Sequence, residues 1–158
     1  MDNTGNLTWS VWVCPKTFAA VCAEMPMQVM GLKGHAWAWN SDNTSLSFIG
    51  TPEELSVFFM IMHDNEAGLR FALEAPLKPD TWHHLAVTVH DEGRALYLDG
   101  EPVAKDDSKI RFGSPCAMII GANDNGPQRY FNGLIDEVLV LNKALTPDEI
   151  RSLYRAGQ

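Results

Sequence analysis

Two neighbouring pairs in this chain are of types that could do chemistry, Asp136-Glu137 and His83-His84. Paired carboxylates cleave glycosidic bonds when they flank the bond about 5 Å apart, one as acid and one as nucleophile. Both pairs lie in stretches of alternating apolar and polar residues that read as strands. Successive strand residues point to opposite faces, so neither pair is expected to close on one substrate atom. Glu53-Glu54 meets the same objection and lies beside a turn. His35, His63 and His90 stand singly, without the spacing of metal ligands. The chain has no Gly-x-Ser-x-Gly elbow and no glycine-rich phosphate loop, and Cys116 has no evident base. These residues point away from an enzyme and toward a binding role.

Sugar rings present apolar C–H faces that stack on aromatic side chains. Trp37 and Trp39 share one face of a strand expected near 35–40, with His35 beside them and Asn40 to Asn43 at its end. Burial in a core is the competing use of both tryptophans. Arg129 and Tyr130, on the loop before the last long strand, form a second candidate patch.

Such residues need a scaffold, and period-two alternation broken by Gly, Pro, Asn and Asp predicts many short antiparallel strands. Leu7, Trp9, Val11 and Val13 fall on one face of the first strand, with Thr8, Ser10 and Trp12 on the other. Further strands are expected near 26–32, 35–40, 45–49, 55–63 and 69–74, then 82–90, 94–98, 101–105, 117–121 and 131–141. The run Val57 to Met62 is apolar on both faces, so it should be covered on both sides or lie in an interface. Asp99-Gly100 between strand residues is a type I′ hairpin signal. Thr146-Pro147-Asp148-Glu149 opens the one expected helix with an N-cap, a proline at N1 and a capping box. Ile150, Leu153 and Tyr154 form its apolar stripe and Gly157 its stop.

At 158 residues, 46% apolar and 20% charged, the chain fits one soluble globular domain over 1–158. A formal net charge of -8, with its 12 Lys and Arg scattered, argues against nucleic acid and anionic membranes. No apolar run approaches the roughly 20 residues that span a bilayer. The first ten residues lack a signal-peptide pattern, so the chain is expected to be intracellular or a segment of a longer secreted parent. Three cysteines cannot all pair within one chain; Cys14 and Cys22 could bridge, or remain free thiols.

Three segments resemble laminin G-like domains of the concanavalin A-like lectin/glucanase superfamily. They are Leu7-Thr-Trp-Ser-Val-Trp-Val13; Trp82-His-His-Leu-Ala-Val-Thr88 running into Leu96-Tyr-Leu-Asp-Gly100; and Ile120-Gly-Ala122 with Phe131-Asn-Gly-Leu-Ile-Asp-Glu-Val138 and Leu145-Thr-Pro-Asp-Glu-Ile150. The resemblance implies an all-β, two-sheet antiparallel jelly-roll sandwich with a short C-terminal helix. It also implies a non-catalytic module binding carbohydrate or a protein partner, in an extracellular or cell-surface setting. An oligomeric structural protein, with the Val57 to Met62 strand in a subunit interface, and a glycan-cleaving enzyme are the alternatives. The enzymes of this superfamily carry Glu-x-Asp-x-x-Glu or a near relative where this chain has Asp136-Glu137. In the family the aspartate of the Ile-Asp-Glu-Val step can bind calcium, which here makes Asp136 the expected ligand, with Asp124 in the nearby Asn123 to Asn125 loop as a second donor. The family usually places another strand before the opening segment. Its absence would leave a sheet edge open to pairing and implies a homodimer.

Overall fold

The computed structural model describes residues 6–18, 27–32, 43–51, 53–62, 69–73, 77–107, 117–122 and 130–158. They form an all-β sandwich of two antiparallel five-stranded sheets with one C-terminal helix. The expected strand at 35–40 lies outside the described residues. The chain divides into two compact units, Met1–Val13 with Trp82–Phe112 and Ile135–Gln158, and Cys14–Thr81 with Gly113–Leu134.

Alternation sets the first unit. In β1 (Leu7–Pro15) Leu7, Trp9, Val11 and Val13 take one face, and the polar-looking face, Thr8, Ser10 and Trp12, is also buried. A strand buried on both sides needs a second cover, and α1 (Pro147–Ala156) supplies it. β1 pairs with β6 (His83–His90), setting Trp9 opposite Val87 and Val11 opposite Leu85. The sheet order is β10-β1-β6-β7-β8, with β7 at Gly93–Leu98, β8 at Glu101–Asp106 and β10 at Gly133–Leu141. Asp99 at φ 50 and Gly100 at φ 81 make the β7–β8 turn, the two positive angles that a type I′ hairpin requires.

The helix begins as its sequence dictates. Glu149 N–H donates to Thr146 Oγ1 at 3.3 Å, and Thr146 N–H to Glu149 Oε2 at 2.8 Å, which closes the capping box. Fully buried Ile150 packs on Ala86 and Tyr97, with Ala95, Leu145 and Leu153 around it. The strap leading in is fixed by one hydroxyl. Thr8 Oγ1 donates to Lys143 O at 2.7 Å and accepts from Leu145 N–H at 2.9 Å. The helix ends at Gly157 as its sequence predicts, though by another geometry. Gly157 has φ -88, so no left-handed stop is made, and glycine is needed because a Cβ would come within 2.3 Å of Trp12 Nε1.

The second unit contains the order β5-β4-β3-β2-β9, with β2 at Met27–Leu32, β3 at Asn43–Gly50, β4 at Leu55–Met62, β5 at Leu69–Ala72 and β9 at Met118–Ile120. In the apolar run of β4, Val57 and Phe59 are buried on one face, while the other carries buried Ser56 and half-buried Phe58. Arg70 of β5 reaches over that second face and donates to Ser56 Oγ at 3.0 Å. Cys14 is a buried free thiol, and Cys22 lies outside the described residues.

Candidate functional site

Within the first unit, the face of β7–β8 that carries α1 is only partly covered by the helix. The register sets Ala95 opposite Lys105 and Tyr97 opposite Pro102, so these four share that face. Beyond Ile150 they border an open groove of about 1160 Å³, which Lys143 to Pro147 of the strap also line. At its edge, Arg94 is 2% exposed and clasps Asp106, directly opposite in register. Arg94 Nε lies 2.8 and 3.0 Å from the two carboxylate oxygens, and Nη2 lies 2.7 Å from Oδ2. This bidentate pair neutralises a charge that burial would otherwise penalise heavily. On the rim, His90, Glu92, Lys105 and Asp107 make no ion pair among the described residues. Lys143, by contrast, is tied to Glu149 at 2.8 Å.

On the other flank of α1 a smaller cavity of about 260 Å³ is lined by Ser10, Trp12, His84, Glu137 and Leu153, among others. His84 is fully buried, its Nε2 2.7 Å from Ser10 Oγ and its ring beside both Trp12 and Tyr154, with centroids 5.4 and 6.1 Å away. Trp12 and Tyr154 stack at 5.6 Å and 17°. Burial pushes the His84 pKa down to about 4, against an opposing pull from the Asp99 charge. Asp99 also clasps the strand. Its Oδ1 accepts from the His84 backbone N–H at 2.8 Å and its Oδ2 lies 3.0 Å from His83 Nδ1. The two side chains therefore serve different neighbours, as strand alternation requires: His83 holds Asp99 of the hairpin, and His84 holds Ser10 of β1.

Of the residues singled out in the sequence, Tyr130 is 57% exposed. Phe131 N–H donates to Gly121 O at 2.8 Å, and this joins the segment bearing Tyr130 to that bearing Ile120, which is 49% exposed. Leu134 is exposed nearby in sequence. Trp37, Trp39, Arg129 and Asp124 lie outside the described residues. Asp136 and Glu137 are both exposed, but the assumed alternation fails between them. Glu137 sits at φ 47, the left-handed region, and its N–H donates to Asp136 Oδ1 at 2.8 Å. Calcium takes about 6–8 oxygen ligands. Among the described residues no group of three His, Cys, Asp or Glu side chains converges, and Asp136 spends one oxygen on its neighbour.

The sequence reading missed the groove and the Arg94–Asp106 clasp. Arg94 could have been found by its place: it interrupts the inward positions of β7, two residues from Leu96, where an unpaired charge could not stay.

The fold has many counterparts of low sequence identity. A candidate carbohydrate binding protein from Bacteroides ovatus is similar at 20% identity and TM-score 0.68, over 95% of this chain and 41% of that one. Domain 4 of the extracellular GH43 arabinanase AbnA from Geobacillus stearothermophilus, solved with arabinotriose, matches at 19% identity and TM-score 0.66, over 98% and 68%. The Ruminococcus gnavus IT-sialidase CBM40, bound to α2,3 sialyllactose, matches at 13% identity and TM-score 0.72, over 96% and 84%. The chain thus spans less than half the length of the Bacteroides protein. Among curated proteins none matches the chain. At such identities these structures share the fold and nothing finer. A family profile carries more: it matches residues 1–151, nearly the whole length, and by it this chain belongs to the laminin G type of the concanavalin A-like lectin/glucanases superfamily.

Proposed function

We propose that this chain is a non-catalytic carbohydrate-binding module. One observation carries the reading: in a member of the lectin/glucanases superfamily, Tyr130 holds an aromatic face out to solvent, with exposed Ile120 on the adjoining segment. A tyrosine left 57% exposed contributes little to the core and offers a flat surface on which the C–H face of a sugar ring can stack. Solved modules of this fold were captured with arabinotriose and with sialyllactose, which supports a sugar over a protein partner. A place outside the cell goes with this reading, since the arabinanase sharing the fold is extracellular. No helix among the described residues is long and apolar enough to cross a membrane.

A glycan array probed with the full chain tests the proposal, followed by calorimetry on the sugars retained. Tyr130→Ala should weaken binding of a short sugar about tenfold, the equivalent of 1.4 kcal/mol. Retention of no glycan at all would remove the reading. Unchanged affinity in the variant would remove Tyr130 as the platform.

A further inference from the structure

We infer that the groove over β7–β8 is a second sugar site, taking an uncharged oligosaccharide of several rings. The inference rests on the carbohydrate reading above but uses other residues, in the other compact unit. Size is the first reason. About 1160 Å³ is slightly more than the roughly 300–1,000 Å³ of clefts that enclose a whole small ligand, so an open run of rings fits better than one. The second is the floor, where half-buried Ala95 and exposed Pro102 offer apolar surface over buried Tyr97, with Lys105 beside them on the same face.

The rim supplies the third reason. Glu92, Lys105 and Asp107 have no ion partner among the described residues, so carboxylate acceptors and an ammonium donor are free to meet hydroxyls, while His90 Nδ1 already accepts from Glu92 N–H at 3.2 Å. The strong cations nearby are already spent, Arg94 on Asp106 and Lys143 on Glu149. Lys105 is then balanced by Glu92 and Asp107, and no positive surplus remains to hold a sulfate, phosphate or carboxylate. A peptide added as a strand along β8 is a poorer occupant. Pro102 lacks an N–H, the register shifts between Leu96 and Tyr97, and charged residues stand along the edge. The groove is also preformed, because Thr8 Oγ1 pins the strap on both sides of Ala144.

Calorimetry with neutral oligosaccharides of increasing length tests this, on the full chain and on Tyr130→Ala, Ala144→Trp and their combination. In Tyr130→Ala a class of sites should persist whose affinity rises with ring number. Ala144→Trp, which fills the groove from the strap, should weaken that class at least tenfold. Should Ala144→Trp fail to fold by circular dichroism, Glu92→Ala/Lys105→Ala, both exposed, should weaken it severalfold. If Tyr130→Ala abolishes all binding, or the groove variants leave the persisting class unchanged, the groove is no sugar site and the Tyr130 reading stands. If the unaltered chain binds no glycan, both fall. Capture of peptides that Ala144→Trp blocks, with no oligosaccharide binding in Tyr130→Ala, would also overturn the inference.

Discussion

His84 shows how one buried residue couples the fold to pH. Its pKa falls from 6.5 to about 4 because burial penalises the imidazolium, and no described group accepts from its Nδ1. The unfolded chain therefore binds this proton more readily than the folded one. Stability from His84 is fully present above about pH 6.5 and is lost as pH falls toward about 4. A drop of that size corresponds to roughly 3 kcal/mol. Urea unfolding followed from pH 7.5 to 4 should show that loss in the unaltered chain and a flatter profile in His84→Gln. Equal slopes would mean that another group carries the dependence. The sequence made the His83-His84 step legible as structural, since neighbours on a strand diverge. It did not reveal the Asp99 clasp, because a carboxylate's partner depends on the angle at which the hairpin closes.

The elements were legible where local chemistry decides them. Asp99-Gly100 has the residues a type I′ turn needs, and Thr146 to Glu149 has those of a capping box; both form. Thr146→Ala should cost about 1 kcal/mol and lower the melting temperature by roughly 2–4 °C, read by calorimetry. An unchanged melting temperature would mean that Thr8 and Ile150 alone hold the helix in place. Where tertiary contact decides, the reading stopped short. Gly157 ends the helix at an ordinary φ, so it is Trp12, which leaves no room for a Cβ, that requires glycine there, and nothing in the local sequence announces that. Glu137 is left-handed without being glycine, so the step Ile-Asp-Glu-Val reads as plain strand although its alternation breaks. Such a residue typically costs about 1–3 kcal/mol unless its surroundings hold it there.

Charge is the property that belongs to the whole chain. The net value of -8 was readable from composition, and it bears on which sugars the proposed module would select. The groove was not readable, because its floor and rim come from the 90s, the 100s and the 142–147 strap, which only the folded sheet brings together. Taken together, an acidic chain whose groove has Arg94 and Lys143 paired and Lys105 outnumbered by Glu92 and Asp107 should repel sulfated or carboxylated glycans at long range and leave neutral ones unaffected. Raising salt from about 10 mM to about 1 M shortens the screening length from roughly 30 Å to roughly 3 Å, which separates the two effects. Affinity for a neutral oligosaccharide should stay within about twofold across that range, whereas any residual binding of an acidic analogue should strengthen as salt rises. Binding of an acidic glycan that weakens steeply with salt would instead reveal an unpaired cationic surface, and the ligand class assigned to the groove would be wrong.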